Sequence, residues 1–167
     1  ATDVVTTGGT LSITAGGGAS GNPDDGAKGI SAGVIAVLEG GTVAVDAADD
    51  AINTDAYAHL NGATTTLASG DDGIHADQQL AVSAGTTTVT EAYEGLEAGQ
   101  ITIAGGDTSL TTSDDGVNVS EPDAGGGAQT LIITGGTLHV DAEGDGLDVN
   151  SGTLGMPGGT VVRDEIV

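Results

Sequence analysis

Cysteine, tryptophan and phenylalanine are absent from this chain of 167 residues, and lysine and arginine together number two. A core resting on large aromatic rings is therefore excluded, and stacked small aliphatic side chains must take its place. The lack of cysteine is neutral about redox compartment, because a repeat fold outside the cell can be stable without disulfides. No run approaches the roughly 18 apolar residues of a membrane helix. The start, Ala1-Thr2-Asp3-Val4, is not the basic-then-apolar beginning of a signal peptide. The expectation is a soluble chain without membrane insertion, whose export signal has been removed or lies outside it.

The shortage of basic residues is matched by 25 Asp and Glu, giving a formal charge of -23. A surface of that sign repels phosphate backbones and anionic membranes, so nucleic acid is excluded as a partner. Such acidity calls for cations, and the expected surroundings are rich in calcium or in salt.

What the chain does have is a repeat. The stretch Asp71-Asp72-Gly73-Ile74-His75-Ala76-Asp77 returns as Asp49-Asp50-Ala51-Ile52-Asn53, Tyr93-Glu94-Gly95-Leu96-Glu97, Asp114-Asp115-Gly116-Val117-Asn118 and Asp145-Gly146-Leu147-Asp148, with Lys28-Gly29-Ile30-Ser31 as a degenerate first copy. The small residue before the aliphatic one falls at 29, 51, 73, 95, 116 and 146, in steps of 22, 22, 22, 21 and 30. The second small residue of the Gly-Gly-Thr turns, at 9, 41, 63, 85, 106, 136 and 159, moves with it. Two markers in step at about 22 residues indicate one supersecondary unit stacked repeatedly on itself.

Within a repeat, Ile74 and Ala76, Leu80 and Val82, then Thr87 and Val89 alternate with polar residues in short runs, which is the pattern of strands. Three short strands and three corners in about 22 residues predict an all-β fold: a right-handed, three-sided parallel β-helix of six to seven coils. The ladder Ile52, Ile74, Leu96, Val117 and Leu147 is expected to line one interior face. Residues 1–167 read as one domain, with insertions near 16–25 and 121–128 that are expected to lie on a binding face. Neither end carries an evident cap, so the chain is expected to be a segment of a longer β-helix or a subunit whose ends stack on neighbours.

Alternation turns Gly73, His75 and Asp77 outward beside the acidic turn. Asp50, Asp72, Glu94 and Asp115 then form a column about 4.8 Å apart, in which neighbouring unit charges repel by about 0.9 kcal/mol in water and about 3–4 kcal/mol at an effective dielectric of 20. Calcium answers that repulsion, since it accepts carboxylates, amides and carbonyls in irregular geometry. The predicted ligands are Asp49, Asp50, Asn53, Asp71, Asp72, Glu94, Glu97, Asp114, Asp115, Asn118, Asp145 and Asp148. The competing reading is that Asp-Asp-Gly is only turn chemistry. Zinc is disfavoured without cysteine and with His59, His75 and His139 in different registers.

Paired carboxylates near a histidine, here Asp71, Asp72 and His75, also resemble the acid and base of an inverting glycosidase. The pair recurs from repeat to repeat, however, whereas catalysis needs one asymmetric constellation. Lys28 and Arg163 lie near opposite ends, which leaves uronate lyase chemistry without a base. No catalytic residue is therefore assigned. Tyr93, His75 and Asp77 are the candidate ligand contacts, Tyr93 because its ring faces out in the register of Asp71, where it could stack on a sugar or simply stand as an exposed corner residue. Thr64-Thr65-Thr66 and Thr86-Thr87-Thr88 suggest an outward threonine face, interrupted at Asp107-Thr108 and Thr42-Val43.

The succession of Asp71-Asp72-Gly73-Ile74-His75-Ala76-Asp77, Glu91-Ala92-Tyr93-Glu94-Gly95-Leu96-Glu97, Ser113-Asp114-Asp115-Gly116-Val117-Asn118 and Gly144-Asp145-Gly146-Leu147-Asp148 resembles bacterial and archaeal carbohydrate-binding domain proteins. These are built as right-handed parallel β-helices, similar in shape to pectate lyases. The likeness runs from about residue 40 to 160. It implies non-catalytic binding of polygalacturonate-like acidic polysaccharide with calcium held by the acidic turns, outside the cell or on its surface. The chain differs in having few of that family's lysines and in ending, with Arg163-Asp164-Glu165-Ile166-Val167, soon after the Gly158-Gly159-Thr160 turn, so it resembles the C-terminal portion of such a protein. The alternative is a structural subunit of a surface fibre, self-associating through the β-helix ends.

Overall fold

A computed structural model describes residues 1–122 and 125–163. Residues 123 and 124 of the second insertion, and 164–167 at the end, lie outside the described residues. The chain is all β, with no α-helix among the described residues and hence none long and apolar enough to cross a membrane. Its strands are β1 (Asp3–Ala15), β2 (Ile30–Ala32), β3 (Ile35–Ala47), β4 (Ile52–Thr54), β5 (Tyr57–Ser69), β6 (Ile74–Glu91) and β7 (Leu96–Ile103). They continue as β8 (Asp107–Thr112), β9 (Val117–Val119), β10 (Thr130–Ile133), β11 (Thr137–Ala142), β12 (Leu147–Val149), β13 (Thr153–Gly155) and β14 (Thr160–Arg163).

Every pairing among the described strands is parallel, and each joins a repeat to the next one in sequence. The pairings run along three tracks. One follows β2, β4, β6, β7, β9 and β12; a second follows β1, β3, β5, β6, β7, β10 and β13; a third leaves the second at β6 and continues through β8, β11 and β14. On the first track Ile30 pairs with Ile52, Ile52 with Ile74, Ile74 with Leu96, Leu96 with Val117 and Val117 with Leu147. The 22-residue period is therefore the register of the sheet. Ile52, Ile74, Leu96 and Val117 are fully buried and Leu147 is half-buried. Burying each such side chain is worth about 1.5–3 kcal/mol.

The turn residues are small because the repeats approach closely there. A Cβ on Gly73 would lie 2.6 Å from the Gly95 carbonyl oxygen of the next repeat. At the other corner the left-handed backbone falls on glycine in every repeat, at Gly41, Gly85, Gly106 and Gly136 for example. In the repeat where the marker residue is Ala63, Gly62 takes that conformation instead, at φ 125°, which spares alanine the strain.

Two expectations change. The middle threonines of the outward runs, Thr65 and Thr87, point into the core together with Thr108, because strand alternation sends every second residue inward. Thr42 pairs with Thr64 and Thr64 with Thr86, so one outward threonine column runs on through Thr42 until Asp107 breaks it, while the other is interrupted as expected, by Ala44 beside Thr66 and Ser109 beside Thr88. The two insertions also lie at different corners. The first sits beside Gly70 and is tied down by the Ala19 N–H donating to Asp46 Oδ1 at 2.7 Å. The second lies against Gln78, Gly99 and Gln100.

Candidate functional site

Register places Lys28, Asp50, Asp72, Glu94, Asp115 and Asp145 in one column, each two residues before its ladder aliphatic. The backbone holds them there. The N–H of Gly29, Ala51, Gly73, Gly95 and Gly116 donates to the carbonyl of Asp50, Asp72, Glu94, Asp115 and Asp145 respectively, at 2.8–3.0 Å. The pairing thus continues through the turn, and the carboxylates inherit strand spacing. Asn53, His75, Glu97, Asn118 and Asp148 make a flanking column by the same register.

Asp50 and Asp72 of this column are buried, as is Asp49 beside them. Their oxygens are taken up by neighbours from adjacent repeats. Asp50 Oδ1 accepts the N–H of Asp72 at 3.2 Å, and Asp50 Oδ2 accepts Asn53 Nδ2 at 3.0 Å and Lys28 Nζ at 2.6 Å. Lys28 Nζ also donates to Asp49 Oδ2 at 2.9 Å. Burial alone would lower the Lys28 ammonium, but its hydrogen bonds to Asp50 and Asp49 outweigh that and hold it above its usual value. This contact escaped the sequence reading. The signal for it was plain: Lys28 stands 22 residues before Asp50.

In the middle of the column His75 Nδ1 lies 3.2 Å from Glu97 Oε2 and 3.5 Å from Asp72 Oδ2. Asp72 chiefly, with Glu97 beside it, raises the imidazole to about 9 against the opposing effect of burial. Asp72 itself is pushed up to about 8 by burial, which its bond to His75 only partly offsets. Asp71 is raised by burial and by the charges of Asp50 and Asp49. The His75 imidazolium is thus the counter-charge here. Ser120 Oγ donates to the other Glu97 oxygen at 2.8 Å.

Further along, no ion pair reaches Glu94, Asp114 or Asp115 among the described residues. One oxygen from each of these three lies within 4.8 Å of the others, and the same holds for Asp72, Glu94 and Glu97, for Asp50, Asp72 and His75, and for Asp49, Asp50 and Asp71. Burial first, then the neighbouring Glu97, Asp115 and Asp114, push Glu94 up to about 7, although Asn118 opposes the shift. Asp115 is raised by burial and by like charges. Its Oδ1 accepts the Asp145 N–H at 2.7 Å, repeating the role of Asp50 toward Asp72. Asp145, Asp148 and Asp77 belong to none of these clusters.

Carboxylate clusters occur on many surfaces without a metal, so the fit to calcium rests on Asn118. Its Nδ2 donates to both oxygens of Glu94, at 3.0 and 2.9 Å, while its buried Oδ1 has no partner. A buried amide oxygen left unpaired beside an unneutralised carboxylate cluster is a donor suited to a hard cation. Turning the amide over would aim that oxygen at Glu94, an arrangement only a cation between them makes favourable.

Tyr93 is exposed, as its register predicted, and its N–H donates to the Asp71 carbonyl at 2.7 Å. A hydrogen bond to Asp114, then the charge of that carboxylate, raises its hydroxyl above the ordinary value. Beside the ring is an open cleft of about 330 Å³ lined by Ser69, Thr90, Glu91, Ser113 and Glu143, with Ala19 of the first insertion at its edge. Glu91 and Glu143 were not among the candidate ligand contacts, since neither stands in the carboxylate column of the repeat. His59 and His139 pair with Ala81 and Ser109, on strand tracks other than that of His75.

Residues 1–73 match a family model described as Carbohydrate-binding domain-containing protein. The match covers less than half of the chain and lies toward its start, whereas the motif likeness runs over later repeats. Comparison with curated proteins and with solved structures produced no match.

Proposed function

We propose that this protein binds carbohydrate without transforming it, and that the ligand is an acidic, polygalacturonate-like polysaccharide engaged through calcium outside the cell or on its surface. The carbohydrate class is supported by the family match over residues 1–73. Those residues are in continuous register with the later repeats, so the same backbone geometry extends to residue 163. We take the repeats to wind as a right-handed, three-sided β-helix of six to seven coils, for which the parallel 22-residue register is the support.

The observation that carries the site is the meeting of an exposed aromatic ring with carboxylates that no basic side chain pairs among the described residues. Tyr93 touches Asp114, and Asp114, Asp115 and Glu94 cluster beside it. Glu94, Asp114, Asp115 and the Asn118 amide would hold calcium, which supplies positive charge that can bridge to uronate carboxylates. The sugar face would lie on the Tyr93 ring, and the cleft hydroxyls of Ser69, Thr90 and Ser113 can hydrogen-bond to it. Recurrence of the acidic turn supplies repeated contacts along a chain rather than one reacting point, which is the arrangement of a binder.

The test is a pull-down on polygalacturonate in calcium, in chelator, and on neutral glucans. Retention only on polygalacturonate and only with calcium is expected, and Tyr93→Ala should weaken it. Failure of monomeric, calcium-loaded protein to bind any uronate polymer would remove the assignment. End-to-end polymers seen by electron microscopy without sugar would favour the fibre subunit instead.

A further inference from the structure

The acidic column has two kinds of end. In the repeat of Asp50, one carboxylate oxygen takes the backbone N–H of the following repeat and the other takes the Lys28 ammonium. In the repeat of Asp115, one oxygen again takes the following N–H, at Asp145, and no donor meets the other among the described residues. The geometry points to Lys28 as a tethered counter-ion: its ammonium bridges Asp49 and Asp50, two members of the cluster they form with Asp71, so that this cluster takes no divalent ion while the ammonium is there and becomes a divalent-cation site when it is removed.

Three observations support this. Lys28 Nζ contacts two carboxylates from consecutive residues, at 2.9 and 2.6 Å, with its side chain 29 % exposed and that of Asp50 only 3 %. One oxygen each from Asp49, Asp50 and Asp71 lies within 4.8 Å of the others, the same closeness found for Glu94, Asp114 and Asp115. The occupant arrives by register, at the position a carboxylate fills in the later repeats, so the column begins with its own positive charge. The consequence is a division of labour: the first repeats are held together whatever the calcium concentration, and response to calcium is confined to the repeats from Glu94 onward. This last clause rests on the calcium reading above; the assignment of Lys28 does not.

Lys28→Met keeps an unbranched stem and removes the charge. Equilibrium dialysis of the full chain against calcium alone, at low salt, should find one more ion per chain in Lys28→Met than in the wild type, and the wild-type number in Lys28→Arg. In chelator the melting temperature of Lys28→Met should fall by several degrees, and calcium should restore it. Equal calcium numbers in Lys28→Met and wild type, with no calcium rescue, would overturn the proposal while leaving the Glu94 site standing. No calcium on the wild type with one ion on Lys28→Met would support Lys28 and remove the Glu94 site. Should Lys28→Met fail to fold even in calcium, the wild type decides. Lys28 is the sole lysine of the sequence, so one ammonium resonance reports on it; calcium should leave that resonance in place, and displacement would overturn the proposal.

Discussion

Asp50 and Asp115 occupy equivalent positions three repeats apart, and each offers one oxygen to the backbone N–H of the repeat that follows. They differ in what meets the second oxygen. Asp50 is buried against Lys28 and Asn53, while Asp115 is half-buried among Glu94, Asp114 and the charges of Asp145 and Asp148. The same turn is a closed ion pair at Asp50 and lacks a basic partner at Asp115 among the described residues, and the proposal above makes the second a cation site. Which it becomes depends on one neighbour in the register.

Asp50→Ala should produce the largest effect. It leaves the Lys28 ammonium with Asp49 alone and the Asp72 N–H without its acceptor, and breaking a buried pair from one side costs about 3 kcal/mol. Denaturant unfolding should show that loss equally in calcium and in chelator. Asp115→Ala removes one hydrogen bond at a half-buried corner, and in chelator it should cost no more than about 1 kcal/mol. Its larger effect should appear only as a lost response to calcium. If both variants respond alike to calcium, the distinction between the two ends fails.

The pH dependence of the calcium-free protein is the next effect. Folded Glu94 is raised from 4.5 to about 7, Asp72 from 3.8 to about 8 and His75 from 6.5 to about 9. In each window the folded state holds more protons than the unfolded chain, so stability falls as pH rises. Melting temperature in chelator should therefore drop between about pH 4 and pH 9, with His75 contributing stability that is whole below its ordinary value and lost as pH passes its folded one. Calcium should flatten the part of the slope that belongs to Glu94. Glu94→Gln should flatten it in chelator as well.

The smallest effect is a control. Thr108 is fully buried and its Oγ1 has no partner, so Thr108→Val should stabilise the protein by about 1 kcal/mol. That gain should be the same with and without calcium. A calcium-dependent gain would mean that the interior and the acidic column are not independent.

The interior was legible because hydrophobic period and strand register are the same number: Ile52, Ile74, Leu96, Val117 and Leu147 are neighbours in space because they recur in sequence. Burial of Asp50 and Asp72 was not legible, since side-chain oxygens engaged by an adjacent repeat leave no periodic mark. Thr65 was misread as outward because a run of three threonines hides which one the alternation turns in, whereas the alternation of Thr87 with Val89 already pointed Thr87 inward. Lys28 was visible as a departure from the acidic motif, and its meaning follows once the departure is placed in register with Asp50. The cleft beside Tyr93 depends on Glu91 and Glu143, which lie outside the repeated turn and come together only through packing.

The most direct measurement of the central claim is a calorimetric calcium titration of the wild type beside Glu94→Gln and Asp50→Asn, at low salt and near pH 7.5. The account predicts saturable binding by the wild type, retained in Asp50→Asn as long as that variant is folded, and weakened at least about tenfold, a change of about 1.4 kcal/mol, in Glu94→Gln. Binding that is absent from the wild type, or unchanged in Glu94→Gln, would contradict it.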